Sequence, residues 1–447
     1  MRARLRELDL GRRAARVGER VRELDLGRRA AGTRARVGEL DRRRKAALAA
    51  ILLLTPAVVL VLALTVGREE GDRPAPAAVE GKPKSFLVDI VPPPKGERRR
   101  RAPTGPKVTG VAAKRLRDMP LEQKVAQVFL VGFEGEDLTA PIFARLRRLG
   151  LGGIVVGRSN YISSDQIALL SGETRLIAEQ ERLVTPWVMA EQEGGQFNSF
   201  PDLPPATTAS LLPDVATAAK EAGAAARTLQ PLGVNGVLGP VVDVAPGADS
   251  AVGPRAYSDE PDAVAAYAAA VVEAYRSAGV FSAPRHFPGL GSASQSTREG
   301  PANVGLSLKE LSARDLVPFR AAIEAGAPGV LLSNGLYAPD DFVVPGSLSR
   351  TIDTELLRGD LDFKGVAITD DLADPAVTAL GPIPDSAVKA LAAGADMLYI
   401  SGSQADQQAA YDAVLSAVQR GDIPSERLDQ AVGRVLSAKQ DYALLRR

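Results

Sequence analysis

The 447-residue sequence contains no cysteine, one histidine and one tryptophan. Without cysteine there is no disulfide framework, no thiolate metal site and no cysteine nucleophile. The single histidine, His286, excludes His-rich metal centres and any mechanism that needs two imidazoles. Net charge is also nearly absent, at +1, but the charges are unevenly placed. Residues 1–45 carry 16 Lys and Arg against 7 Asp and Glu, residues 67–117 carry 13 against 6, and residues 118–447 carry 26 against 41. The large C-terminal part is therefore acidic. Phosphate contact needs a basic face, so nucleic acid is not an expected partner. No glycine-rich phosphate loop joins a first strand to its helix, since Gly194-Gly195 lacks the remaining spacing, and no cofactor or metal is expected.

What is present begins with a long apolar run. Residues 46–66, AALAAILLLTPAVVLVLALTV, carry no charge. As a helix they span about 32 Å, the thickness of a bilayer core. A secretory signal has a shorter apolar core and a shorter preceding region, so the pattern favours an uncleaved anchor over a cleaved signal. Arg42, Arg43, Arg44 and Lys45 abut its N-terminal end. The positive-inside rule then places residues 1–45 in the cytoplasm and the large domain outside, as a single-pass protein of the cell membrane.

The tail repeats RELDLGRRAA at 6–15 and 22–31, with a weaker copy at 38–47, a 16-residue period. This is too little material for a solenoid. It reads as a charged, partly helical tail, or as an arm that meets anionic lipid headgroups. Residues 67–113, with Pro92-Pro93-Pro94 and four arginines at 98–101, read as an extended charged linker.

From residue 114 short apolar runs alternate with helical stretches. Eight strands are expected at 128–133, 152–157, 187–191, 236–244, 281–285, 329–334, 365–370 and 396–401. The clearest helices are expected at 259–278, 307–325, 384–393 and 404–420. Eight such units with apolar rather than alternating strands point to an α/β fold, a (β/α)8 TIM-like barrel over 114–447, with an open doubly wound sheet as the rival. Barrel active sites are built at the C-terminal ends of the strands. Reading only those ends gives Glu191 to Gly195 after the third strand, Asp243 and then Arg255 after the fourth, Arg285 and His286 after the fifth, Asn334 after the sixth, and Thr369-Asp370-Asp371 after the seventh. Carboxylates with arginine, histidine and asparagine on one rim suit a sugar, whose hydroxyls need donors and acceptors and whose oxocarbenium-like transition state needs a carboxylate.

These residues carry a resemblance. From about Met119 to Arg447 the chain resembles the N-terminal barrel domain of glycoside hydrolase family 3, especially the bacterial β-N-acetylhexosaminidases. Met119-Pro120-Leu121-Glu122-Gln123-Lys124 resembles the family's opening helix, and Gln192-Glu193-Gly194-Gly195 follows the third strand. Gly253-Pro254-Arg255-Ala256-Tyr257 resembles a sugar-binding arginine loop, and Arg285-His286-Phe287-Pro288-Gly289 the family's Lys-His-Phe-Pro-Gly. Gly365 to Leu372, GVAITDDL, resembles the nucleophile strand. The resemblance implies a retaining double displacement on a carbohydrate substrate. Asp370 is the implied nucleophile, and Glu191, Arg255, Arg285 and His286 are implied to hold the sugar. Asn334 joins that set from its strand-end position.

Three departures weigh on activity. Glu191 stands where the family has aspartate, pushing the carboxylate about 1.5 Å deeper. Arg285 replaces a lysine with a planar, forked cation. In the hexosaminidases a loop after the fifth strand supplies Asp-Ser-His, whose histidine is the acid/base; here the residues are Ser296-Thr297-Arg298. An arginine does not exchange protons at neutral pH. Glu299 is the carboxylate of that loop, and it reads either as a replacement acid/base or as a solvated residue paired with Arg298. The expectation is a membrane-tethered glycosidase acting on cell-wall or other glycans, with a catalytically impaired, glycan-binding barrel as the alternative. A structural wall anchor with a basic tether is the weaker third.

Overall fold

A computed structural model describes residues 107–445 apart from Ala248. The tail at 1–45, the apolar run at 46–66 and the linker up to residue 106 lie outside the described residues. Among those described, no helix is long and apolar enough to cross a membrane. A helix over Gly110–Asp118 is tied to the C-terminal helix Ser425–Asp441 by the Ala112 N–H, which donates to Gln440 Oε1 at 3.0 Å.

All eight expected strands form. They are β1 (Phe129–Val131), β2 (Gly153–Val155), β3 (Trp187–Ala190), β4 (Gly236–Val237), β5 (Phe281–Ser282), β6 (Gly329–Leu332), β7 (Val366–Thr369) and β8 (Leu398–Ile400). β8, β1, β2, β3, β4 and β5 pair in that order, all parallel, and β6 pairs with β7. Parallel bridges between Phe287 and Leu332 and between Ile368 and Met397 close the gaps, so the strands form a ring. Every residue of these strands is buried, which is why they read as apolar runs instead of alternating ones.

The expected fourth strand, 236–244, is regular over only two residues. Beyond Gly239-Pro240 a single parallel bridge joins Val241 to Arg285. Pro240 has no N–H for a ladder, which ends the regular pairing there. The helix expected at 307–325 divides into Leu308–Ala313 and Leu316–Glu324. Pro318 has no N–H to offer the Arg314 carbonyl and suits the first turn of a new helix. Ser307 and Glu310 form a capping box at the start of the first piece. The helices Pro261–Ser277, Ile383–Ala393 and Gln404–Arg420 lie where the periodicity places them.

Two apolar layers result. The larger lies between strands and surrounding helices. The smaller fills the ring with Leu130, Trp187, Met189, Phe281, Ile368 and Met397. Trp187 packs on Phe281 at 4.9 Å between ring centroids, and Tyr442 from the C-terminal segment reaches both at 5.9 and 5.8 Å. Gly329 faces this cluster because any side chain there would meet the Phe281 ring at 2.4 Å. The ring is a solid core, and polar chemistry is confined to its rims.

Candidate active site

Each strand delivers its first polar residues to the same rim. After β3 come Glu191, Gln192 and Glu193. Gln192 turns away and secures its loop: its amide donates to the carbonyls of Phe200, Leu203 and Pro204, and its Oε1 accepts from the Phe200 N–H. The two glutamates meet Arg285, which follows β5 and is 1% exposed. Its Nη1 donates to Glu191 Oε1 at 3.1 Å and its Nη2 to Glu193. Arg255, in the loop after β4, lies 3.7 Å from Glu193. Arg298, in the loop after β5, donates to both Glu191 oxygens at 3.1 and 3.3 Å. The charges alternate along one row: Arg298, Glu191, Arg285, Glu193, Arg255. Burial alone raises the Glu191 carboxyl, but Arg285 and then Arg298 override it and hold the group well below the usual carboxylate range. Glu191 in turn raises Arg298 above its ordinary value, so this guanidinium keeps its charge at neutral pH.

A second constellation lies at β5 and β7. His286 Nδ1 sits 2.7 Å from Asp243 Oδ2, while Asp243 Oδ1 accepts from the Leu290 N–H at 2.7 Å and the His286 N–H at 3.3 Å. Burial is the largest influence and pushes the Asp243 carboxyl up, but the contacts with His286 and the Leu290 N–H together outweigh it, and the net shift is downward. The other ring nitrogen, Nε2, lies 3.9 Å from Asp370 Oδ2. Asp370 is 7% exposed. Its N–H bonds the Leu332 carbonyl at 2.8 Å, continuing the ladder past β7, and its Oδ1 accepts from the Asp371 N–H at 2.9 Å. The next helix, Pro375–Thr378, begins after Asp374, so Asp370 caps no helix. Asp371 Oδ1 accepts from the backbone N–H groups of Ala373 and Ser401 at 3.0 and 2.9 Å.

Outside these groups opens a cleft of about 660 Å³, lined among others by Glu191, Glu193, Arg255, Arg298, Asp371 and Asp374. That size suits a small ligand. Asp370, Arg285 and His286 stand behind the lining. Two expectations are corrected. Asn334 is fully buried and does not line the cleft; its Nδ2 donates to the Asp371 carbonyl at 2.7 Å and its Oδ1 accepts from Ser347 at 2.6 Å. It tethers the loop after β7. Glu299 is exposed and does not line the cleft. Nor does Arg298 pair with it, because Glu191 holds that guanidinium. No group of three or more His, Cys, Asp or Glu among the described residues is arranged to hold a metal ion.

The pattern of residues 120–438 matches the glycosyl hydrolase family 3 N-terminal domain. The chain belongs to glycosyl hydrolase family 3. A beta-hexosaminidase of Stenotrophomonas maltophilia is 32% identical over 317 residues, covering 69% of this chain and 91% of that protein. A family 3 β-N-acetylglucosaminidase from a Paenibacillus species superposes with a TM-score of 0.68 at 30% identity, covering 73% of this chain and 63% of that one. A β-N-acetylhexosaminidase from Beutenbergia cavernae does so with a TM-score of 0.65 at 30% identity, covering 72% and 99%. This family 3 chain is thus a β-N-acetylhexosaminidase-like glycosidase in sequence and fold.

The structure gathers Glu191, Arg255, Arg285, His286 and Asp370 around one rim. Strand-end reading does not give the pairings of Glu193 and Asp243, although both are carboxylates near strand ends, because their partners are 43 to 92 positions away in sequence. It misses Asp374 altogether.

Proposed function

We propose that this protein is a membrane-anchored retaining glycosidase that removes terminal β-linked N-acetylhexosamine from cell-wall or other glycans. Asp370 attacks the anomeric carbon and forms a glycosyl-enzyme, which water then hydrolyses. Residues 46–66 hold the protein in the cell membrane, with the tail at 1–45 on the cytoplasmic side and the barrel outside. The observation that carries the catalytic part is the placement of Asp370. It ends β7 at the rim, 3.9 Å from the His286 ring and behind a sugar-sized cleft furnished with Glu191, Arg255 and Arg298. Arg285 and His286 keep cationic and donor groups beside a carboxylate that must stay ionised to attack. Glu191, Arg255, Arg285 and His286 contact the sugar hydroxyls in this reading. The relatives' names support the sugar class, and the charge-free length of 46–66 supports the anchor.

One observation favours a second reading. Both oxygens of Glu191 are already engaged by guanidinium groups, so a sugar must compete for them. A barrel that binds glycan without turnover fits that feature. The full chain in detergent, offered aryl N-acetyl-β-glucosaminides and aryl β-glucosides, separates the readings. Slow aryl release that disappears in Asp370→Ala is the expected result. Glycan binding with equal silence from both proteins transfers the conclusion to the binding module.

A further inference from the structure

The arginine at position 298 leaves the glycosidase without the acid/base that its relatives' loop is expected to supply, and Glu299 stands outside the cleft. The cleft's carboxyls can be compared one by one. Glu191 is held by Arg285 and Arg298, and Glu193 by Arg285 and Arg255. Asp371 accepts two backbone N–H bonds on one oxygen. Asp374 differs from all three. Its side-chain hydrogen-bond partner is neutral: Thr297 Oγ1 donates to Asp374 Oδ2 at 3.2 Å. It is 8% exposed, lines the cleft, and lies four residues beyond Asp370 on the same loop. The Ala376 N–H donates to the Thr297 carbonyl at 3.0 Å, so the turn carrying Asp374 is fastened at two points to the very loop that holds Arg298.

We propose that Asp374 is the acid/base of this site. The proposal rests on the retaining reading above. In the first step the Asp370 carboxylate bonds to the anomeric carbon, the glycosidic C–O bond breaks, and the Asp374 carboxyl proton passes to the departing oxygen. In the second step the Asp374 carboxylate takes a proton from water, the water oxygen bonds to the anomeric carbon, and Asp370 leaves as a carboxylate. Atoms and charge balance with no further reactant.

The surroundings prepare Asp374 for this cycle. Burial is the largest influence on it, followed by the negative charges of Asp370 and Asp371; Arg298 and the Thr297 hydroxyl act in the opposite sense, and the carboxyl is raised to about 7. At neutral pH it therefore holds its proton for a substantial part of the time, while Glu191 stays ionised. Once Asp370 is esterified, one of the two negative neighbours is gone and Asp374 loses its proton more readily, as the second step requires.

The test uses the full chain in detergent with Asp374→Asn, Thr297→Val and Glu299→Gln. Asp374→Asn should lower kcat/KM on N,N′-diacetylchitobiose roughly 10²–10⁴-fold, and far less on a dinitrophenyl glycoside whose leaving group needs no proton. The alkaline limb of the wild-type pH profile should vanish in that variant, and added azide should restore turnover with a β-glycosyl azide as product. Thr297→Val keeps the carboxyl but removes its donor, so the alkaline limb should move up without a matching loss of kcat. Equal losses on both substrates in Asp374→Asn, no azide product and an unmoved limb in Thr297→Val would overturn the assignment, as would that whole signature appearing in Glu299→Gln. Silence of the wild type across every substrate would instead sink the retaining reading itself and carry this one with it.

Discussion

Asp243→Asn is the most informative single change near Asp370. The substitution keeps the shape of a fully buried side chain. Its remaining oxygen still accepts from the backbone N–H groups of Leu290 and His286, but an amide nitrogen now faces His286 Nδ1 in place of the carboxylate oxygen at 2.7 Å. Two donors cannot face each other, so the hydrogen bond between the ring and residue 243 is lost. A charge-assisted hydrogen bond of this kind contributes about 1.5–3 kcal/mol. For a domain of this size each kcal/mol moves the thermal midpoint by roughly 2 °C, so a fall of about 3–6 °C is expected. The same free energy, felt at Asp370 as the loss of a fixed imidazole 3.9 Å away, corresponds to a drop of roughly 10–150-fold in kcat/KM. The pH dependence has a definite sign. The Asp243 carboxyl is shifted downward, so the wild type's stability advantage is full above roughly pH 4, the ordinary carboxylate range, and fades as the pH falls below it. Scanning calorimetry from pH 3 to 8 and aryl release give the two readouts. A midpoint within about 1 °C of wild type together with unchanged kcat/KM would refute the coupling of Asp243 to Asp370 through the imidazole.

Other changes test the rest of the rim. Arg285→Ala strands two carboxylates that it pairs while 1% exposed, and a loss of about 3–5 kcal/mol is expected in denaturant titration; Arg298→Ala, 62% exposed at its side chain, should cost less than about 1 kcal/mol. Equal costs would show that the ion-pair row does not have a buried and an exposed end. Asp315 is buried with both carboxyl oxygens lacking a hydrogen bond, and burial, opposed by Arg314, raises it to about 7. Its folded form favours the proton, so the associated stability is fully present below about pH 4 and is lost as the pH rises through about 7. Asp315→Asn should therefore raise the thermal midpoint at pH 8 and leave it nearly unchanged at pH 4; a pH-independent gain would discard the titration.

The barrel was readable because buried parallel strands are continuous apolar runs, and Gly or Pro marks their ends. Residue-level boundaries were less so: Pro240 and Pro318 interrupt pairing and helix through missing N–H groups, and both lie inside otherwise regular patterns. At the site, position after a strand identifies the rim but not the direction of a side chain. Asp370 and Arg285 keep polar ends at the site, whereas Asn334, equally a strand-end residue, spends its amide on the Asp371 carbonyl and on Ser347. Glu299 fails for the opposite reason, since a loop carboxylate has no strand to aim it. Asp374 follows the recognisable GVAITDDL segment by two residues, and its environment depends on Thr297, 77 positions earlier. No local pattern links those two.

The lone tryptophan has a practical consequence. Trp187 is fully enclosed at the base of the ring, in an edge contact with Tyr442 of the final segment. Indole emission from this chain thus comes from one shielded location. Its wavelength reports directly on the integrity of the β-cylinder, without added dye and without interference from a rim where all the chemistry takes place.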